Sequence, residues 1–199
     1  MICRSAGLLL VLVAAPGQAA AHGGLRGGGG FYSGAAHPVL AIEQLLGLLA
    51  LGLLLGQQGR STAGVPLLAL ALTLCAGLVA ATATLRAEPM MLGLALLLGT
   101  CVAAAPRVAP WGLTIAAALT GATIGFGTDA PASEPDLVAT IAPYAGVFVG
   151  VFLIVLNAAA IASVARQPAF RIAVRVVGSW IAAIALMVLA LRFRMMAGI

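Results

Sequence analysis

LVATIAPYAGVFVGVFLIVLNAAAIASV, residues 137–164, runs for 28 residues without one charged side chain. A helix needs about 20 predominantly apolar residues to cross the roughly 30 Å hydrocarbon core of a bilayer, so this stretch is long enough to span one. Five more apolar blocks accompany it, at residues 38–55, 64–85, 90–105, 110–126 and 172–191. Across all 199 residues, 63% are hydrophobic, only 8% are charged, and the mean hydropathy is +1.17. A soluble domain carries roughly a quarter charged residues, so there is too little charge here to coat a water-facing surface. Disordered chains are polar and charged, which excludes that class too. Block-wise apolarity without strict alternation argues against a soluble β fold. The expectation is an all-α integral membrane helix bundle of about six transmembrane helices in a bacterial inner membrane, with the lipid bilayer as its first partner.

Charges punctuate the blocks. All ten basic residues are Arg. They fall singly between apolar runs, so they read as membrane-flank anchors and give no footprint for nucleic acid. Arg60, Arg107, Arg166, Arg171 and Arg175 fall on one side of a six-span arrangement; Arg26, Arg86, Arg192 and Arg194 fall on the other. That five-to-four bias places the first group in the cytoplasm, weakly, by the positive-inside rule. Pro38, Pro89 and Pro110 open blocks, where a missing N–H costs little. Short connections predict that neighbouring helices pack antiparallel. Gly121-x-x-x-Gly125 and Gly146-x-x-x-Gly150 are small-residue patterns that let backbones approach closely in lipid. Cys3, Cys75 and Cys101 show no metal spacing; Cys3 falls in the targeting segment, and Cys75 and Cys101 read as small buried hydrophobes.

The N-terminus reads as a targeting segment. Arg4, an apolar run from Gly7 to Ala15 and the small residues Ala19-Ala20-Ala21 describe a signal peptide over residues 1–21. Cleavage would leave His22 as the mature N-terminus. Residues 22–37 read as a Gly-rich external arm, because a run such as Gly27–Gly30 resists helix formation. Residues 38–194 then form a single transmembrane bundle.

A polar side chain inside a bilayer is expensive and marks a functional hypothesis. Glu43 and Gln44 sit about one turn into the first block, with His37 just before it. Seven residues separate His37 from Gln44, so on a continuous helix they share a face. The three make a polar patch at an outer mouth, suited to ion or proton entry; a histidine and a glutamate solvated by headgroups, or paired with Arg86, is the alternative. Asn157 lies deep in the fifth block, and Thr120 and Thr123 lie in the fourth. An intramembrane Asn often joins helices by a hydrogen bond, and a threonine hydroxyl can bond its own helix backbone.

The stretch Gly30-Phe31-Tyr32-Ser33-Gly34-Ala35-Ala36-His37-Pro38 and onward to Gly52 resembles the HupE/UreJ family, implicated in nickel or cobalt uptake. Its signature reads roughly G-F-x-x-G-x-x-H-P-x-x-G-x-D-H-L-L-A-M-x-A-V-G after a signal peptide and a mature N-terminal histidine. Gly30-Phe31, Gly34, His37-Pro38, Leu45-Leu46, Gly52 and His22 match. The family's Asp falls on Glu43, its second His on Gln44, and its mid-motif Gly on Ala41. A later H-G-x-x-H-G motif falls on Thr120-Gly121-Ala122-Thr123-Ile124-Gly125, with both glycines kept and both histidines replaced. A Tyr-x-x-G-F pattern and the histidine after it resemble the stretch from Tyr144 to Phe148 and Asn157.

The resemblance implies a divergent secondary permease for a divalent metal ion, nickel or cobalt. His37 and Glu43 would be metal ligands at the mouth, and Gln44, Thr120 and Asn157 would line the transport path. These groups should then converge on one cavity. No enzyme activity and no cofactor is expected: Ser33, in a Gly-Phe-Tyr-Ser-Gly context like that of rhomboid-type proteases, has no histidine on a later helix to act as its base. The competing expectation is a non-transporting membrane subunit that packs against a membrane-protein partner, or a second copy, through Gly-rich helix faces.

Overall fold

The computed structural model describes residues 30–80, 87–128, 137–165 and 167–196. Every regular element among them is helical: α1 (Gly30–Leu40), α2 (Ile42–Gln58), a short 3-10 turn (Arg60–Thr62), α3 (Gly64–Val79), α4 (Ala87–Ala104), α5 (Pro110–Phe126), α6 (Leu137–Ser163) and α7 (Pro168–Met196). The chain is an all-α membrane helix bundle. Helices α4, α6 and α7 are each long and apolar enough to cross a membrane, and α1 with α2 forms a fourth such unit bent by 77°. Helices α3 and α5 are shorter, at 16 and 17 residues. At 1.5 Å per residue they rise about 24–26 Å, slightly less than a hydrocarbon core.

Pairwise contacts fix the helix directions. Gly47 of α2 meets Met91 of α4, and Gln57 further along α2 bonds Val102 further along α4, so α2 and α4 run parallel. Gly52 meets Val155 and Ala158 while Gly56 meets Ala159 and Ala162, so α6 runs parallel to α2 as well. In the same way Gly121 meets Leu70 and Leu74, and Gly125 meets Gly77, so α3 and α5 are parallel. Among the described residues only α4 and α7 make an extensive antiparallel pair: Gly99 lies against Ala182, Gly178 against Val102, and Glu88 pairs with Arg192. The chain therefore alternates direction, but its main contacts join helices that are not neighbours in sequence. This corrects the expectation that sequence neighbours pack together. Glycines on these helices bring their backbones into close approach, and in lipid such packing drives association.

Helix α2 is the hub. Leu46, Gly47, Leu48 and every residue from Ala50 to Leu55 are buried, so all its faces are covered. It is hydrophobic all round, as a fully enclosed helix must be. By contrast Leu68, Leu72, Leu97, Ile161, Trp180 and Met187 point outward from the other helices, toward the bilayer.

The external arm expected over residues 22–37 is corrected in part. Gly30–Leu40 is helical and packed on α6. A Cβ at Gly34 would overlap the Pro143 carbonyl, and one at Gly146 would overlap the Phe31 carbonyl, so α1 lies with its backbone directly on α6. The contact surface made by these glycines offsets their poor helix propensity. Residues 22–29 and the expected signal peptide over 1–21 lie outside the described residues.

At the opposite end of α2, side chains from other helices hold the end of α4 and the connection after it. Gln57 Nε2 donates to the Val102 carbonyl at 3.0 Å, Gln58 Nε2 to the Pro106 carbonyl at 3.0 Å, and Arg175 Nε to the Ala103 carbonyl at 2.7 Å. Gln58 Oε1 also accepts the Val108 N–H at 3.2 Å. The last carbonyls of a helix have no intrahelical partner, and here α2 and α7 supply them. Ala105 ends α4 at φ 52°, a left-handed conformation uncommon for a side chain with a Cβ.

Candidate functional site: the elbow between α1 and α2

The break between α1 and α2 is built by two adjacent features. Pro38 has no N–H to give its helix, which weakens the turn it sits in. Three residues on, Ala41 adopts φ −82°, ψ 98°, an extended conformation that ends α1 and starts α2 in a new direction. Ala41 N still donates to the His37 carbonyl at 3.0 Å, and Leu45 N to the Ala41 carbonyl at 2.9 Å, so the two helices meet with a single residue at the joint.

Consequently residues seven apart come together. On a straight helix His37 and Gln44 would be separated by about 10 Å along the axis. Here Gln44 Nε2 lies 3.4 Å from His37 Nε2. In this orientation the amide NH2 donates and His37 Nε2 accepts. Gln44 is 7% exposed, and its Oε1 is buried without a hydrogen-bond partner among the described residues. A buried amide oxygen left unpaired costs about 1–3 kcal/mol. Glu43, half-buried, precedes it in the first turn of α2, where a carboxylate offsets the positive end of the helix dipole. The last carbonyls of α1 put partial negative charge on the other side of the joint. An imidazole and a buried amide therefore meet at the elbow beside a helix C-terminus, with the Glu43 carboxylate next to Gln44 in sequence.

The remaining expected path residues lie elsewhere. Thr120 is fully buried where α5 packs on α3, and its hydroxyl donates to the Ala116 carbonyl at 2.8 Å. Thr123 does the same with Leu119 at 2.7 Å. Asn157 is exposed on α6 and its Nδ2 donates to the Leu153 carbonyl at 2.7 Å, within its own helix. It borders a cavity of about 630 Å³ between α2, α6 and α7, lined otherwise by apolar side chains such as Leu45, Leu49, Ile154, Phe170 and Val174. His37, Glu43, Gln44 and Thr120 do not line it. The five polar groups thus divide into an elbow cluster and two separate, locally satisfied positions. Among the described residues no three His, Cys, Asp or Glu side chains stand close enough to hold a metal ion. Any ligand set at the elbow has to draw on the Gln44 amide or on backbone carbonyls. Arg86, the expected partner of Glu43, lies outside the described residues.

Sequence reasoning missed the capping role of Gln57, Gln58 and Arg175. The two glutamines follow an apolar run and precede Gly59, which reads as a simple block end.

A family model described as HupE / UreJ protein matches residues 9–188, nearly the whole chain. The chain belongs to the HupE/UreJ family. No curated protein and no solved structure matches it. Within this HupE/UreJ member the elbow falls on the segment that carries the family resemblance most densely, from Gly30 to Gly52.

Proposed function

We propose that the chain is a secondary permease for a divalent metal ion, nickel or cobalt by the family's association, with the α1–α2 elbow as its ion-capture site at the outer membrane face. One observation carries this reading: a helical unit long and apolar enough to cross a membrane is broken at a single residue, and His37 meets a buried Gln44 with an unpaired oxygen across the break, Glu43 preceding Gln44 in sequence. Discontinuous helices in transporters place ions at such breaks, where helix ends supply partial charges and freed carbonyls. His37 would take the ion through imidazole nitrogen, Glu43 would supply the balancing charge, and Gln44 would present its amide. Asn157 and Thr120 would lie further along the path only after a rearrangement of α5 and α6.

A second reading, a non-transporting membrane subunit, draws support from a different observation: Asn157 and Thr120 are satisfied by their own helices, and the cavity beside Asn157 is apolar. Metal accumulation in cells separates the two. A permease raises cell-associated nickel or cobalt above the level of cells lacking the protein, and His37→Ala or Glu43→Ala abolishes the increase at equal protein abundance. Equal accumulation with and without the wild-type chain favours the subunit.

A further inference from the structure

Helices α6 and α7 follow each other in sequence but make no extensive contact; α7 lies on α4 instead. The gap between them is the cavity of about 630 Å³, walled by α6 and α7 and floored by α2. From Gln44 to Leu55 every residue of α2 is buried except Leu45 and Leu49, and both line this cavity. Over that stretch the hub helix meets the bilayer only here. The lining runs along α2 from Leu45 to Leu53 and along α6 from Leu153 to Ile161, a rise of about 12 Å in each. One leaflet of a hydrocarbon core is about 15 Å deep, so the groove matches a single leaflet. Its volume spread over that depth leaves a cross-section of about 40–50 Å². A helix with its side chains is about 10–12 Å across and fills about 80–110 Å². The groove is therefore too narrow for a helix of a partner or of a second copy, and it suits unbranched acyl chains.

One end of the groove is charged. Ile161 and Phe170 line it on either side of the α6–α7 connection, and exposed Arg171 follows Phe170. Among the described residues, the end of the bundle where α2 and α4 finish and α7 begins carries Arg107, Arg171 and Arg175 and no acidic side chain. Glu43 and Glu88 stand in the first turns of α2 and α4, at the other end. Asn157, one turn before Ile161, is the polar residue of the lining, and its amide keeps a second N–H after donating to the Leu153 carbonyl. We propose that the groove holds the acyl chains of one anionic phospholipid from the leaflet on the arginine side, with its phosphate on Arg171 and its ester carbonyls at Asn157. Bilayer and groove are equally apolar, so a chain gains no hydrophobic free energy on entering, and the headgroup decides which lipid is held. An arginine beside an anionic headgroup is worth about fivefold in affinity. The chain ends reach Leu45, the neighbour of Gln44, so the lipid bears on the hub helix next to the elbow. The site stands whether or not the elbow captures an ion.

The test is native mass spectrometry of the delipidated full chain in detergent, titrated with phosphatidylglycerol and with phosphatidylcholine of the same acyl chains. Wild type is compared with Arg171→Gln, Arg107→Gln and Ala173→Phe, which fills the α7 wall of the groove, each checked for monodispersity and helicity. Wild type is expected to hold a first phosphatidylglycerol at least about fivefold more tightly than phosphatidylcholine. Arg171→Gln is expected to cut that preference by about fivefold, Arg107→Gln to leave it unchanged, and Ala173→Phe to weaken both lipids together. A wild-type preference under about twofold, or equal losses in Arg171→Gln and Arg107→Gln, overturns the inference, because the headgroup then senses only the general charge of that face. Lipid binding unchanged in folded Ala173→Phe overturns it as well, because the chains then lie elsewhere. A lipid-free dimer that Ala173→Phe dissociates would put a second copy in the groove and overturn it too.

Discussion

Replacing Gln44 by Met makes the metal-free protein more stable, although it removes a hydrogen bond. Gln44 sits 7% exposed with Oε1 unpaired, and the desolvation of that oxygen costs about 1–3 kcal/mol. Against this stands one bond to His37 at 3.4 Å, beyond the usual range for N–H donors, so it contributes less than about 1 kcal/mol. His37 is half-buried and regains solvent or headgroup contact when the amide is gone. Methionine keeps the unbranched length and brings no polar atom that needs a partner. The difference leaves a net gain of about 1 kcal/mol, which for a chain of this size raises Tm by about 2–4 °C. Thermal unfolding of wild type and Gln44→Met in metal-free nanodiscs measures it. A fall in Tm of 2 °C or more would refute the reasoning, because it would mean that the Gln44 oxygen is already paired in the empty protein. The expected gain in stability beside a loss of ion binding is the pattern of a polar group kept for function.

Four further substitutions probe the frame of the bundle. Gln58→Ala removes the bonds to the Pro106 carbonyl and the Val108 N–H and lowers stability by about 1–2 kcal/mol, readable as a lower Tm and faster proteolysis in the α4–α5 connection. Ala105→Gly relieves the left-handed conformation at the end of α4 and stabilises by about 1 kcal/mol; an unchanged or lower Tm counts against strain there. Gly125→Leu drives a side chain into the Gly77 backbone and costs about 1–3 kcal/mol, loosening α5 from α3, while Gly93→Ala, which meets nothing within 4 Å, leaves Tm unchanged or slightly raised.

The apolar blocks made the membrane bundle legible, and the fourth, residues 110–126, coincides with α5 end to end. Its boundaries were readable because Pro110 opens it and Gly127 follows its close. The first block was not readable in the same way. Pro38 inside an apolar run fits either a helix start or a helix interior, and nothing in the identity of Ala41 marks it as a joint. Only the contact of Gly34 and Gly30 with Pro143 shows that α1 continues back to Gly30, and that contact spans more than a hundred residues of sequence. The same break explains why a seven-residue spacing, read as two turns on one face, becomes a direct contact. Asn157 shows the opposite failure. A lone amide in an apolar run signals a buried polar role, yet a bond to its own i−4 carbonyl lets it face outward. The choice between a helix–helix partner and the helix's own backbone depends on the rotation of α6, which the near-uniform apolarity of its sequence leaves undetermined.

Metal flux through the purified chain tests the central claim most directly. The full-length protein is reconstituted into sealed liposomes beside protein-free and His37→Ala controls, and entry of cobalt is followed with an enclosed metal-sensitive dye. The elbow account predicts saturable entry in wild-type vesicles and entry at the protein-free level for His37→Ala. Wild-type vesicles that admit cobalt no faster than protein-free ones would contradict it.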